Sequence, residues 1–410
     1  MNDIKFLLRE EREKFLLFNS QRGTDLVLLP DEVEELKKGV ITEKLSNFGF
    51  NKKNIDNIRE ISVKRKSNPK RISFPKRLIL DLSNECQIKC FYCYMGFDKI
   101  PKFMPTDFAI DMIDKSSELG TFEIRFSGGE PLLHRDLDKI AKHAKSLGLF
   151  VSITTNGGYE LDKLKKVENY IDKFHISTHG IIQIDNSPNI KFYELAKEKM
   201  RYLRDKNKSF RINSILPKVD GSYLEKLVEL ADEVSSDINF FIYRPFGRNS
   251  DLKEVRDLAP NLDEWLNYLK KLEKLKKNFP KVNITTNNYD VLQKKGIERF
   301  RLLMDFNNCP TSEEFFTITP NGDIYSCGFM YYHDSEKFKI GNAKIDNLWD
   351  LWSNDSKWGI FRESDDFSVC LSCHHFQRQA CYGSCVAEGY FSEKYLDLRE
   401  KYICNLSNIK

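Results

Sequence analysis

The sequence lacks long apolar stretches and a large excess of either charge. No segment approaches the ~18 consecutive apolar residues that a membrane-spanning helix requires. The formal net charge is only +4, so the charge of the whole chain does not indicate a nucleic acid partner. The first 13 residues are dense in charge, and their longest apolar run is Phe6-Leu7-Leu8, which is too short for a secretory signal. We therefore expect a cytoplasmic protein that has neither a membrane nor a nucleic acid as partner.

Cysteine is absent from the middle of the chain. Of the ten cysteines, three lie between residues 86 and 93 and seven lie between residues 309 and 404. In a reducing cytoplasm a disulfide framework is not expected, and cysteines of a structural core would be scattered along the chain. The clustering therefore indicates metal binding or catalysis.

Residues 1–72 are predicted to form a small N-terminal module. Two apolar runs, at 15–18 and 26–29, flank a polar segment with a glycine, which predicts a hairpin. A helix is expected to begin at Pro30, and a second helix to cover residues 42–48. This strand–strand–helix–helix order is compatible with a winged-helix-like module.

A basic segment with two prolines follows, at residues 64–77. It is typical of a solvated linker. The alternative is a groove for an acidic peptide or for an electron donor, and the sequence leaves both open.

Residues 73–300 alternate between strand and helix patterns. This alternation predicts an α/β domain with a parallel sheet, either an open wound sheet or a partial (β/α)6 barrel. After residue 300 the pattern changes to short strands, turns and cysteines, which predicts a cysteine-rich C-terminal domain at residues 301–410. The six strands are predicted at 77–82, 122–127, 150–155, 173–177, 210–216 and 240–243.

The first cysteine group follows directly on the first of these strands, as Cys86-x3-Cys90-x2-Cys93. Three thiolates can hold three irons of a [4Fe–4S] cluster and leave the fourth iron open to a ligand. A zinc site is the alternative, but zinc would need a fourth ligand, and no Cys or His follows until His134.

Polar or glycine-rich segments end the other strands, where α/β barrels carry their active sites. The second strand ends in Ser127-Gly128-Gly129-Glu130-Pro131, and its glycines would let a ligand approach the backbone closely. The third strand ends at Asn156, the fourth at Ser177, and the fifth carries Asn213. Each segment alone is also typical of an ordinary turn after a strand.

The cysteine spacing, with Tyr92 before the third cysteine, resembles the signature of radical S-adenosylmethionine (SAM) enzymes. The resemblance implies that SAM binds the open iron and is cleaved to a 5′-deoxyadenosyl radical, which abstracts hydrogen from a substrate. It also implies that the Gly128-Gly129-Glu130 segment, with Ser127, binds the methionine amine of SAM. Asn156, Ser177 and Asn213 would then face the ribose or carboxylate, and Tyr92 the adenine. Many relatives have Asp-Gly after the fourth strand, whereas this chain has His179-Gly180, and the role of His179 stays open.

The C-terminal cysteines resemble the SPASM domain, which holds two auxiliary [4Fe–4S] clusters in radical SAM enzymes. The resemblance assigns Cys370, Cys373, Cys381 and Cys404 to the distal cluster. It assigns Cys309, Cys327 and Cys385 to the nearer cluster, which then lacks a fourth cysteine. One spacing departs from the usual pattern, because seven residues separate Cys373 from Cys381. A zinc ribbon is the alternative.

SPASM-bearing relatives mostly modify ribosomally made peptides by thioether or carbon–carbon cross-links or related oxidations. The resemblance therefore implies a peptide or small protein substrate, a leader-binding role for the N-terminal module, and a flavodoxin- or ferredoxin-type electron donor. The alternative is a maturase of another substrate class, either a sulfatase-type protein or a small molecule of a quinone-cofactor or haem pathway. A non-enzymatic metal-binding scaffold is the third alternative.

Overall fold

The computed structural model describes residues 4–11, 14–62, 72–88, 90, 93, 95, 102–178, 190–245, 253–286, 311, 314–333 and 336–358. These residues form a four-stranded sheet near the N-terminus and a ten-stranded sheet that follows it. No helix in these ranges is long and apolar enough to cross a membrane.

The N-terminal sheet has the strand order β3-β2-β1-β4, in which β1 and β4 are parallel and the other pairs are antiparallel. The predicted hairpin and both helices are confirmed. Pro30 opens the first helix, and the Glu32 carboxylate accepts the Leu29 N–H at 2.8 Å. The predicted element order is wrong at both ends, because the charge-rich start of the chain is a strand and a further strand follows the helices. The elements are β1 Phe6–Glu11, β2 Lys14–Asn19, β3 Thr24–Leu28, α1 Pro30–Lys37, α2 Glu43–Asn47 and β4 Ile58–Ile61, with a 3₁₀ turn at Lys52–Asn57.

Both faces of this N-terminal sheet pack against other parts of the chain around β1 and β2, whereas most of β3 at the edge is exposed. One face packs under α1 and α2 through residues such as Leu17 and Leu36, and the other joins the main core through residues such as Leu7 and Phe18. The ring of Phe18 stacks on that of Phe122, with centroids 4.9 Å apart. The module is therefore docked on the larger domain by apolar packing.

A buried arginine completes the docking. Arg9 of β1 is fully buried and donates hydrogen bonds to the carbonyls of Phe74 (2.9 Å) and Gly120 (2.6 Å). Its guanidinium lies 2.6 Å from a carboxylate oxygen of Glu11 and 4.6 Å from the centre of the Phe122 ring. Glu11 in turn accepts from the backbone N–H of Ser73 at 2.9 Å. Because both charges are paired and hydrogen-bonded, the docking depends on a specific geometry in addition to apolar packing.

The second sheet contains the six predicted parallel strands, which are confirmed with small shifts of their ends. The last of them begins three residues earlier than predicted, at Asp237. Helices or turns connect the strands, as parallel pairing requires. The strands are β5 Arg77–Ser83, β6 Glu123–Gly128, β7 Phe150–Thr155, β8 Lys173–Ser177, β9 Phe210–Leu216 and β10 Asp237–Ile242. The helices up to the next strand are α3 Thr106–Glu118, α4 Leu137–Ser146, α5 Leu161–Val167, α6 Ile190–Asp205, α7 Gly221–Glu233, α8 Lys253–Arg256 and α9 Leu262–Asn278, with a 3₁₀ turn at Pro131–Leu133.

The sheet extends beyond the six predicted strands on both sides. β11 (Ile284–Thr286) pairs in parallel with β10, and β12 (Phe315–Ile318) pairs in parallel with β5. β12 lies in the segment predicted as a separate C-terminal domain, yet it extends the core sheet. The remaining elements are β13 Asp323–Tyr325, α10 Gly328–His333, β14 Gly341–Asn342, α11 Leu348–Ser353 and α12 Asp355–Trp358. The strand order is β11-β10-β9-β8-β7-β6-β5-β12-β13-β14.

Residues alternate between the two faces of the parallel sheet. On β5, Leu78, Leu80 and Leu82 are fully buried in the core that includes Met112 and Ile113 of α3. The opposite face, here called the inner face, carries polar side chains on neighbouring strands, since Arg77 of β5 bonds Glu123 of β6 at 2.7 Å. The apolar face packs against the helices, whereas the inner face carries polar side chains.

Candidate functional site

The carboxyl ends of the parallel strands bring the predicted site residues to one edge of the sheet. The register places Ser83 beside Gly128, and Ser177 beside Asn213. Asn156 follows the last residue of β7, which lies between β6 and β8. Tyr92 and His179 lie outside the described residues.

The cysteine loop leaves β5 and is held by local hydrogen bonds. The Ser83 hydroxyl accepts the Glu85 N–H at 2.8 Å, and the Cys93 N–H donates to the Cys90 carbonyl at 3.2 Å. Cys86, Cys90 and Cys93 are partly buried, and none forms a disulfide. Burial is the main cause that raises the pKa of Cys86 to about 12, so iron binding would have to replace a proton at this thiol.

This donor set fits an iron–sulfur cluster. Three cysteine sulfurs at one loop are the ligands that such clusters use, and each sulfur binds a different iron. Among the described residues, no three Cys, His, Asp or Glu side chains are close enough together to hold a single metal ion.

The two glycines after β6 are required by the cysteine loop itself. A Cβ on Gly128 would lie 2.3 Å from the Ser83 carbonyl oxygen, and a Cβ on Gly129 would lie 2.0 Å from the Glu85 carbonyl oxygen. Gly128 also has a φ of +114°, which is strained for other residues. Backbone hydrogen bonds close the contact, because the N–H groups of Gly129 and Glu130 donate to Ser83 and Glu85 at 2.7 and 2.8 Å. The glycines thus let the loop pack directly on the end of β6.

Glu130 ties the end of β6 to the end of β7. Its side chain is fully buried and accepts hydrogen bonds from the Thr155 hydroxyl (2.8 Å) and from the backbone N–H groups of Asn156 (2.8 Å) and Leu132 (3.1 Å). Burial is the main cause that raises the pKa of Glu130 to about 7. Because these three donors belong to segments at the ends of β6 and β7, Glu130 positions the neighbouring loops.

Asn156 links this network to the first cysteine. Its side-chain oxygen accepts from the Gly158 N–H at 2.7 Å and from the Gln87 amide at 3.2 Å. Because a backbone donor fixes the oxygen, the amide nitrogen faces Cys86 and donates to its sulfur at 3.3 Å. Hydrogen bonds to cluster sulfurs are one means by which proteins tune these centres. Sequence reasoning missed Gln87, although it lies within the cysteine motif.

The remaining predicted contacts line the inner face near the same edge. Ser127 lies beside Asp81 of β5, and Asn213 of β9 lies between Ser177 and Asn239. Asp81 is 2% exposed, and burial raises its pKa to about 7. These side chains give the upper inner face a mixture of hydroxyl, amide and carboxyl groups.

Only one of the seven C-terminal cysteines lies within the described residues. Cys327 is partly buried between β13 and α10, and its carbonyl accepts the Met330 N–H at 3.2 Å. β13 runs antiparallel to β12, which pairs with β5. Cys327 therefore lies toward the amino ends of the parallel strands, across the inner face from the first cysteine loop. The cysteines outside the described residues are Cys309, Cys370, Cys373, Cys381, Cys385 and Cys404.

Two family models match the chain. The radical SAM superfamily matches residues 80–234, and SPASM, an iron–sulfur cluster-binding domain, matches residues 309–375. The second match includes Cys309, Cys327, Cys370 and Cys373.

Curated relatives cover most of the chain. Mycofactocin maturase MftC of Mycolicibacterium smegmatis is 24% identical over 339 residues, which are 79% of this chain and 81% of that protein. A PqqA peptide cyclase of Xanthomonas euvesicatoria is 23% identical over 76% of this chain and 82% of its own length.

Solved structures show the same fold. Streptococcus suis SuiB bound to its precursor peptide SuiA has a TM-score of 0.68 and 19% identity, and covers 95% of each chain. The anSMEcpe structure with bound AdoMet and Cp18Cys peptide has a TM-score of 0.58 and 17% identity, and covers 82% of this chain and 99% of its own. The two domain matches, the first of which contains the cysteine loop at the end of β5, and the curated relatives place the chain in the radical SAM superfamily, as an enzyme with a SPASM iron–sulfur domain whose cofactors are SAM and iron–sulfur clusters.

Proposed function

We propose that this protein is a radical SAM peptide maturase that cross-links or otherwise oxidises a ribosomally made peptide. The observation that carries the proposal is the cysteine loop packed on Gly129, with the Asn156 amide donating to Cys86 at 3.3 Å. Peptide as the substrate class is supported by MftC, PqqA peptide cyclase and SuiB, whose names describe a maturase, a peptide cyclase and a complex with a precursor peptide.

Cys86, Cys90 and Cys93 are proposed to hold the cluster that binds SAM, and that cluster with SAM supplies a 5′-deoxyadenosyl radical. Asn156 orients the Cys86 sulfur, and Glu130 holds the Asn156 backbone in place through a 2.8 Å hydrogen bond. The proposed SAM contacts are Tyr92, Ser127, Gly128, Gly129, Glu130, Asn156, Ser177 and Asn213.

Each of three parts of the chain is proposed to have its own role. Residues 1–72 form a winged-helix-like leader-binding module, residues 73–300 form a partial-barrel radical SAM core, and residues 301–410 form the auxiliary-cluster domain. The packing of both faces of the module's sheet around β1 and β2 supports the first assignment, because it leaves strand edges for a peptide to extend. The auxiliary clusters are assigned to Cys309, Cys327 and Cys385 and to Cys370, Cys373, Cys381 and Cys404. A flavodoxin- or ferredoxin-type donor in the cytoplasm would supply the electron that reduces the SAM-binding cluster.

In a cross-link, the substrate loses two hydrogens. One would leave as a hydrogen atom to the radical that SAM supplies, and the second as a proton and an electron. The C-terminal cysteines, Cys327 among them, would hold the auxiliary cluster that accepts this electron. The inner face lies between the first cysteine loop and Cys327, so a peptide segment there would be within reach of both ends.

Mass spectrometry of a co-expressed candidate peptide tests the proposal. The wild-type enzyme should remove two hydrogens per cross-link. Cys86, Cys90 and Cys93 changed together to Ala should abolish SAM cleavage, whereas Cys327→Ala should preserve cleavage and impair product formation. An unmodified peptide despite SAM cleavage would argue against the peptide class, and normal product from the Cys327 variant would remove the auxiliary role.

A further inference from the structure

The lower part of the inner face, toward the amino ends of the strands, is rich in positive charge. Arg77 of β5 stands beside Glu123 of β6, and the next row places Arg125 and Lys173 on either side of Ser152 of β7. Hydrogen bonds confirm that these side chains share one face, since Arg125 donates to Ser152 at 3.1 Å and to Glu123 at 2.9 Å. Arg77, Arg125, Lys173 and Arg211 are called the basic face below.

Carboxylates do not balance these charges within the described strands. The four cations face two carboxylates at the same level, those of Glu123 and Asp237. Asp81 is the next acid on this face and lies nearer the cysteine loop. Glu123 is fully engaged, because Arg77 and Arg125 bond to different oxygens and Ser152 donates to it at 2.6 Å. Within the described strands, the cations of the lower inner face thus outnumber the carboxylates that lie at their level.

The cations act on one another across this face. Burial, followed by the repulsion of Arg77, lowers the pKa of Arg125 to about 10. Burial, followed by the repulsion of Arg211, likewise lowers the pKa of Lys173. A nearby anion would relieve both effects.

A buried histidine points to the same ligand. His175 of β8 pairs in register with Arg211 and is 4% exposed. Among the described residues neither of its ring nitrogens has a hydrogen-bond partner. Burial and the surrounding cations lower its pKa well below the usual value, so the ring is neutral and has one N–H to donate. A buried polar group without a partner is costly, and a ligand that accepts a hydrogen bond removes that cost.

The basic face is reachable and lies beside the N-terminal module. The side chains of Arg77 and Arg125 remain 28% and 23% exposed. The module docks at this end of the sheet, where Lys76 bonds Asp25 of β3 at 3.0 Å and Phe18 stacks on Phe122. A peptide held by the module would therefore begin at the end of the sheet where the basic face lies.

We propose that the basic face binds a carboxylate of the substrate peptide, an Asp or Glu side chain held between Arg125, Lys173 and His175. This inference rests on the proposed peptide maturase function and adds a feature of its substrate. Lys173 lies four residues and Arg125 three residues before the ends of their strands, about 10–13 Å at the rise of a strand. An extended peptide spans that length in about three or four residues, which is the spacing expected between the acidic residue and the modified one.

Calorimetry with two short peptides tests the proposal on the full-length, anaerobically reconstituted protein. The probes are acetyl-Glu-Ala-Glu-amide and its glutamine counterpart, acetyl-Gln-Ala-Gln-amide. The acidic peptide should bind at least tenfold more tightly than the neutral one, and Lys173→Gln should remove the difference. Lys142→Gln, which changes an exposed lysine on α4, is the matched control and should leave it unchanged.

Thermal unfolding separates a binding role from a structural one. Lys173→Gln removes a mutually repelling charge, so the peptide-free variant should unfold at the same or a higher temperature. Equal affinity for the two peptides would overturn the proposal. So would a shifted auxiliary-cluster potential in Lys173→Gln with unchanged peptide binding. SAM cleavage is measured in the same samples, because its absence in the wild type would instead refute the proposed function.

Discussion

Replacing Gly129 with alanine should damage the cysteine loop without damaging the sheet. The added Cβ would lie 2.0 Å from the Glu85 carbonyl oxygen, whereas real Cβ contacts are essentially never below 3.0 Å. The obstacle is backbone, so it cannot rotate away, and the loop must move by about 1 Å. Gly129 does not have a positive φ, so the effect is steric and not conformational. Overpacking of this kind costs about 1–3 kcal/mol, and a 1 Å displacement of reacting groups costs about 100-fold in rate.

Two measurements check this expectation. Iron content and the electron paramagnetic resonance signal report on the cluster, and formation of 5′-deoxyadenosine reports on SAM cleavage. We expect Gly129→Ala to cleave SAM about 100-fold more slowly while its far-ultraviolet circular dichroism stays unchanged. Gly221→Ala is the matched control, because its nearest atom, on Lys271, is 3.9 Å away. Wild-type cleavage by the Gly129 variant would refute the close packing of the loop on β6.

Two further predictions follow from buried charges. The raised pKa of Glu130, about 7 against 4.5, means that the stabilising contribution of its protonated form is complete below pH 4.5 and is lost as the pH rises through 7. Glu130→Gln leaves one of three donors without an acceptor, and its free energy of unfolding should be lower than that of the wild type. Because only the wild type loses stability as the carboxyl ionises, this deficit should shrink by about 3 kcal/mol between pH 4.5 and pH 8. A deficit independent of pH would contradict a buried carboxyl. Arg9→Met leaves Glu11 as an unpaired buried charge and should destabilise the docked module by about 3–5 kcal/mol, measured as faster hydrogen exchange in β1. The double variant Arg9→Met with Glu11→Leu should recover part of the loss. Equal exchange in the single and double variants would show that the two charges are not coupled.

The fold of the core could be predicted because its strands are largely buried and alternate regularly with helices. Segments such as 77–82 and 150–155 are rich in apolar residues, and helical patterns separate them, which leaves few alternatives to a parallel sheet. The N-terminal strand β1 was missed because two of its three charged residues, Arg9 and Glu11, pair with each other in the interior. A sequence pattern treats such residues as solvent-exposed.

The cysteine ligands of the candidate site could be predicted, but the hydrogen bonds that hold the surrounding loops could not. The cysteine spacing identifies Cys86, Cys90 and Cys93 without any structure, because thiolates are distinctive iron ligands. The role of Glu130 as a clamp between β6 and β7 depends on donors from Thr155 and Asn156, which only the folded sheet brings within 2.8 Å. The basic face was missed for the same reason, since its cations come from four separate strands.

The pairing of β12 with β5 has a consequence for how the chain is made. β5 ends at Ser83, and its partner on this side begins only at Phe315. During synthesis more than 200 residues must therefore emerge before this edge is covered, and contacts between such distant segments form late in folding. Until then the sheet ends at β5, so the strand that leads into the Cys86 loop is an uncovered edge strand.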